Sequence, residues 1–244
     1  MKISVLFSVI FLAGGLDRAF GELTTIDGKP VAGKVLSVIR KDVILLENGR
    51  QVPIKLARLS TESQAEAIRE AKSQKTWDPY PTMNIQVQVA TKRRPQSGSW
   101  YMKTMSIEPK VVITGVSSME PIPAAEAVML IVVMDTRAKY TNGREKYSVK
   151  STEKLPIPAA LNGARRQFDF KSSEVAYDSY RDNTNIGGFV YKFFVFALRE
   201  PETGRIVNFQ TNNARLQAAG QINPDIFTQI LGLSQSADFP AQFE

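Results

Sequence analysis

The chain has 244 residues, 43% of them hydrophobic, with 31 Lys and Arg against 24 Asp and Glu and a formal charge of +7. It contains no histidine and no cysteine. That excludes Cys and His zinc sites, Ser-His-Asp triads, Cys-His dyads and disulfide staples, and leaves carboxylate chemistry, Ser-Lys chemistry or oxygen-ligated calcium.

Residues 1–21 have the three parts of a secretory signal: Lys2, an apolar run from Ile3 to Leu12, and the small-x-small sequence Ala19-Phe20-Gly21. Cleavage there leaves Glu22 first, and loss of Lys2, Asp17 and Arg18 lowers the formal charge from +7 to +6. The apolar run stops near Leu16, short of the roughly 20 residues a bilayer core requires, so the expectation is release rather than anchoring. With no cysteine, a lipidated N-terminus is excluded. No second apolar segment reaches spanning length, so no integral membrane span is expected after cleavage.

From residue 22 to 60 the pattern is short strands and tight turns. Asp27-Gly28 turns the chain into the segment Val31 to Val38. Asp42 to Leu46 then meets Asn48-Gly49, a strong hairpin signal, and Gln51 to Leu56 alternates beyond it. The run Gly28-Lys29, Val35, Val38, Asp42-Val43, Leu45, Asn48-Gly49-Arg50, Val52-Pro53-Ile54 and Leu59-Ser60 resembles the small SH3-like barrel of the Sla1-homology type found in secreted bacterial envelope proteins. Leu23 stands where that pattern carries an aromatic residue, and Ser63 where it carries an acidic one.

Residues 61–81 read as a helix and hinge. Thr61-x-x-Gln64 fits a capping box. Ala65, Ile68 and Ala71 make a thin apolar stripe, the mark of a connecting helix packed lightly on a neighbour. Trp77-Asp78-Pro79-Tyr80-Pro81 ends the helix, because proline cannot continue it.

Residues 82–215 read as an immunoglobulin-like β-sandwich, with a jelly roll as the other arrangement that fits. Candidate strands are Met83 to Ala90, Trp100 to Ile107, Lys110 to Thr114, Ala127 to Met134, Glu145 to Leu155, Arg165 to Lys171, Gly188 to Leu198 and Arg205 to Thr211. The continuous apolar run Ala127 to Met134 suits a central strand. Alternation puts Phe189, Tyr191, Phe193 and Val195 on one face, with Val190, Phe194 and Phe196 on the other. A strand apolar on both faces needs a second covering element, which the N-terminal barrel or another subunit could supply. Residues 216–244 read as a short helix, opened by Asn223-Pro224-Asp225, and a mobile tail from Ser234.

Two loops carry candidate contact residues. Lys92-Arg93-Arg94 beside Trp100-Tyr101 could meet anionic glycans or lipid headgroups, or simply form a solvated loop. Export argues against nucleic acid. Tyr177 and Tyr180 stand among Glu174, Asp178 and Asp182, a mixture that suits sugar contacts: rings cover apolar sugar faces while acids accept hydroxyl hydrogen bonds. The same acids lack calcium-loop spacing, and sequence alone does not set the separation a glycosidase requires. Ser148 and Lys150, at opposite or alternate strand positions, are only incidental Ser-Lys candidates.

The stretch from Ile107-Glu108-Pro109-Lys110-Val111 through the hairpin Gly188 to Thr211 resembles immunoglobulin-like pilus-associated proteins encoded beside type IV pilus assembly genes. That resemblance implies a non-enzymatic, mainly β envelope protein, periplasmic or on the cell surface, whose partners are envelope or pilus-assembly proteins. The apolar N-terminal segment is too short for a pilin, so an accessory role is expected rather than a fibre subunit. No cofactor is expected, and self-association is compatible with the two-faced strand. A carbohydrate- or mucin-binding module is the alternative.

Overall fold

The computed structural model describes residues 23–74, 76–116, 120–138, 145–161, 164–180, 184 and 186–243. The expected signal segment lies outside the described residues, as does Asp182. The chain is mainly β and divides into two compact units between Pro79 and Tyr80.

In the first unit, β1 (Leu23–Thr24) pairs with β2 (Pro30–Val31) as a separate ribbon. Four more strands form one sheet: β3 (Lys34–Ile39), β4 (Asp42–Glu47), β5 (Arg50–Lys55) and β6 (Trp77–Asp78), in the order β5-β4-β3-β6. The strands thus wrap one core without closing into a continuous ring. Asn48 and Gly49 turn β4 into β5 with positive φ angles of 48° and 77°, the conformation a two-residue hairpin requires.

Helix α1 (Thr61–Ser73) belongs to this core rather than bridging lightly away from it. Its buried face is Ser63, Ala67 and Ala71, four apart, whereas Ala65 is exposed. Small side chains on that face let the helix lie close to Val35, Val38 and Leu59. The cap is also one residue earlier than the sequence suggests: Ser60 Oγ accepts from the Ser63 amide at 3.2 Å, and Gln64 Nε2 donates to the Leu59 carbonyl at 2.9 Å. Ser63 itself receives the Thr24 amide at 2.8 Å, tying β1 to the helix start. The segment read as hinge contributes β6, which runs parallel to β3, and Trp77 packs on the core under the Lys72 ammonium.

The second unit contains two four-stranded sheets. One comprises β7 (Met83–Pro95), β8 (Met102–Gly115), β11 (Arg166–Asp169) and β12 (Ser173–Asp178). The other runs β10-β9-β13-β14, from β9 (Ala125–Asp135), β10 (Lys146–Ile157), β13 (Phe189–Arg199) and β14 (Ile206–Thr211). Their facing sides enclose Met105, Ile107, Val111 and Ile113 from β8, and Ala127, Met129, Ile131 and Val133 from β9. The two candidate strands on either side of Pro109 are one strand. β8 continues through the proline because its second neighbour changes there: β12 pairs with Met102–Ile107 and β11 with Lys110–Ile113. The amide that proline lacks would point into the gap between them.

Central strand β9 sends alternate residues to the two sides of its sheet, and Val128, Leu130 and Val132 face away from β8. That second face is covered by the chain's own C-terminus. Helix α2 (Ala214–Ile222), α3 (Asp225–Leu231) and the tail bury Leu216, Ile230, Leu231, Phe239 and Phe243 against it. The tail from Ser234, expected to be mobile, is hydrogen-bonded along the edge of β10: Ser236 to the Val149 carbonyl at 2.7 Å and Phe239 to that of Tyr147 at 2.9 Å. The face therefore requires neither the N-terminal unit nor another subunit. The alternation along β13 also breaks at a bulge at Lys192, which separates Tyr191, on the inter-sheet core, from Phe193, under the helices.

Candidate functional site

The hairpin joining β7 and β8 ends in a tight turn. The Ser99 amide donates to the Gln96 carbonyl at 3.2 Å, the Met102 amide to Ser99 Oγ at 3.1 Å, and Gly98 supplies the positive φ of 80°. Trp100 and Tyr101 follow directly. Ser179, just beyond β12, clips this tip from the side: both its amide (2.9 Å) and its hydroxyl (2.7 Å) donate to the Tyr101 carbonyl.

That clip joins the two candidate loops. Trp100 lies edge-to-face with Tyr101, centroids 5.7 Å apart, and with Tyr180, 4.8 Å apart. The indole is 75% exposed and Tyr180 43%. The two residues are eighty positions apart in sequence, and only the pairing of β12 with β8 brings them together.

Asp178 sets the Tyr180 loop. It is buried, with Oδ1 accepting the Tyr180 amide at 2.8 Å and Oδ2 the Ile186 amide at 3.0 Å. Gly187 and Gly188 complete the crossover between sheets, the Asp178 amide donating to the Gly187 carbonyl at 2.9 Å. A β-carbon on Gly188 would overlap the Ala176 carbonyl oxygen, so no other residue allows this approach. Asp178 is thus a loop-holding carboxylate rather than a sugar-facing one. Its role could have been suspected from Asp-x-Tyr preceding a Gly-Gly pair; that of Ser179 carried no signal.

Tyr177 does not join the cluster. It points inward beside Val175 into the inter-sheet core, only 7% exposed. The alternation of Val175 and Tyr177 in Glu174-Val175-Ala176-Tyr177 was the available signal. Lys92, Arg93 and Arg94 are not a loop but the last turnless stretch of β7. Lys92 pairs with Glu108 at 3.3 Å and Arg94 with Glu174 at 3.5 Å, across the outer face of the sheet. Arg93 points the other way and has no ion-pair partner among the described residues, and neither has Lys103 on β8. The basic run is therefore half occupied within its own sheet, and the exposed feature at this end is the aromatic tip.

Lys150 is the bulged residue of β10, and with Ser148, Asp135, Lys146, Phe189 and Asp238 it lines one shallow cleft of 280 Å³. The Lys146–Asp238 ion pair at 3.1 Å crosses it. Among the described residues no three metal-ligating side chains converge, and no helix is long and apolar enough to cross a membrane.

No family model matches the chain, and no curated protein matches it. Among solved structures, one from Akkermansia muciniphila is 14% identical and covers 54% of this chain and 72% of its own, with a TM-score of 0.23. A Northeast Structural Genomics Consortium target, SoR45, is 13% identical over 52% of this chain and 84% of its own, with a TM-score of 0.22.

Proposed function

We propose that this is a non-enzymatic protein exported to the bacterial envelope, periplasmic or at the cell surface, with a structural or interaction role in a pilus-like or surface assembly. The observation that supports it most is the Trp100–Tyr101–Tyr180 tip. It is exposed, yet held by backbone clips at Ser179 and Asp178. Trp and Tyr dominate the energetic centres of protein interfaces because each buries a large rigid ring at little entropic cost, and prior fixing of the loops lowers the cost further. The resemblances of the first unit to secreted SH3-like modules and of the second to pilus-associated immunoglobulin-like proteins point the same way.

The test is cross-linking in intact cells followed by affinity capture from the envelope fraction, comparing the wild-type chain with Trp100→Ala/Tyr180→Ala. Recovery of surface-assembly proteins by the wild type, reduced at least about tenfold in the variant, is expected from loss of two such anchors. Absence of the chain from the envelope fraction, or recovery unchanged by the variant, rejects the reading.

The exposure of the Trp100 ring also favours a second reading, a carbohydrate- or mucin-binding module in which the indole covers an apolar sugar face. It requires saturable glycan affinity that Trp100→Ala abolishes. Tyr180, rather than the buried Tyr177, is the second residue to change.

A further inference from the structure

The strand edges of the second unit are unequal. On one flank, β10 is covered over Tyr147–Val149 by the tail, and β11 and β12 carry Arg166, Asp169 and Glu174. Charges and coverage of this kind block pairing with another chain. On the opposite flank, β7 presents Asn84-Ile85-Gln86-Val87-Gln88-Val89-Ala90-Thr91: eight residues with no charge, glycine or proline. Its neighbour β14 is also uncharged but is half-buried throughout, and Gln210 reaches from it to donate to the Ile85 carbonyl at 2.8 Å.

The register tells which β7 groups are free. The Val116 amide donates to the Thr82 carbonyl and the Gln96 amide to that of Met102, so even-numbered residues of β7 bond β8 and odd-numbered ones direct N–H and C=O outward. Ile85 is capped by Gln210. Among the described residues, no strand pairs with the outward row from Val87 through Val89 and Thr91 to Arg93.

We propose that this edge pairs with β7 of a second copy of the chain, antiparallel, about a two-fold axis through Val89. That register sets Val89 against Val89 and Val87 against Thr91, β-branched pairs that suit a strand interface. It also sets Lys92 opposite Gln86, Arg93 opposite Ile85 and Arg94 opposite Asn84, so no like charges meet. An axis through Thr91 would ask Pro95 for an amide proton it lacks, and one through Val87 would centre the pairing toward the capped Ile85. Val87 and Val89, half-buried on the inter-sheet core, gain cover from the second copy. The surface is separate from the aromatic tip, so the proposal stands or falls independently of the partner reading above.

The register makes a charge-swap test possible, because Gln88 of one copy faces Ala90 of the other on the exposed outer side. The full chain is studied by sedimentation and light scattering over a range of concentrations, with circular dichroism confirming that each variant is folded. The wild type is expected to dimerise. Gln88→Glu/Ala90→Glu, which sets carboxylates opposite each other twice, should raise the dimer–monomer midpoint about tenfold or more, and Gln88→Glu/Ala90→Lys should restore it. In a chain with no other cysteine, Val89→Cys should oxidise to a covalent dimer, since the residue meets its own copy on the axis. A wild type that stays monomeric at every concentration, or a dimer indifferent to the charge swap, overturns the proposal.

Discussion

The ring of Phe227 lies where a side chain at position 220 would begin. A β-carbon on Gly220, in the last turn of α2, would overlap Cε1 and Cζ of that ring, which stacks on Phe209 of β14 with centroids 3.4 Å apart and planes 12° from parallel. The glycine lets α2 and α3 share one seat over the sheet. Gly220→Ala should therefore destabilise the unit by about 1–3 kcal/mol through overpacking, although alanine is the better helix former. In a Phe227→Leu background the same change should cost little. Denaturant unfolding of the four proteins gives the coupling directly.

Removal of the C-terminal layer is a stronger perturbation. A chain ending at Asn213 loses Leu216, Ile230, Leu231, Phe239 and Phe243, each buried against the β9–β13 face. At about 1.5–3 kcal/mol for each large apolar side chain, the loss is comparable to the whole stability of an ordinary domain, about 5–15 kcal/mol. The truncated chain should bind a hydrophobic dye and aggregate when expressed. A soluble, cooperatively folding product would show that the layer is dispensable.

Pro109 yields a pair of contrasting outcomes. Because its ring nitrogen faces the gap between β11 and β12, Pro109→Ala should change stability by less than about 1 kcal/mol. Val111→Pro, two residues on and opposite Phe168 of β11, removes a ladder donor and should cost about 3 kcal/mol or more. Thermal or urea unfolding distinguishes them.

These positions also show what could be read from the residues alone. The run Ala127 to Met134 identified the central strand because burial on both faces leaves no room for alternating polar residues. The covering layer was hidden: α2 buries only Leu216 and Gly220, and the tail is held by two isolated phenylalanines, so neither shows a helical stripe. Pro109 suggested two strands because a proline normally interrupts a ladder, and only knowledge of the gap beside it makes one strand acceptable. The bulge at Lys192 shifted half of β13 across the sheet without any glycine to announce it. At the tip, Trp100 was visible by its neighbours, but its meeting with Tyr180 depends on pairing between distant strands, which local pattern does not encode.

Alkaline pH should weaken the second unit. Burial pushes the Tyr191 hydroxyl from its ordinary 10 up to about 12, only partly offset by Asn212. Between those values the folded state holds a proton the unfolded chain has lost, so stability is full below pH 10 and falls as pH rises toward 12. The ring's partial exposure reduces the effect to about 1–2 kcal/mol. Tyr147 is raised too, by burial and by its hydrogen bond to Glu145, and acts with the same sign. Burial opposes the charge on Lys192, but Glu145 and Tyr147 outweigh it and raise its pKa, adding to the same alkaline loss. Tyr191→Phe should flatten the profile of unfolding free energy against pH without abolishing its slope.

The aromatic tip should behave oppositely in stability experiments. Trp100→Ala removes a ring that is mostly in solvent and should change unfolding free energy by no more than about 0.5 kcal/mol. Asp178→Ala strands the Tyr180 and Ile186 amides and should cost about 1–3 kcal/mol. A large loss in the first variant would make Trp100 structural.

Helices α2 and α3 and the tail come after every strand they cover. During synthesis, the β9–β13 face is complete in sequence, yet remains bare until residues 214–243 have followed. The second unit therefore cannot reach its final state strand by strand as it emerges. A nascent chain displays a wide apolar sheet for as long as its last segment is delayed, which is the signal by which chaperones retain, and proteases remove, unfinished chains. The order of the elements thus makes the closing of this face a late step in the assembly of the unit.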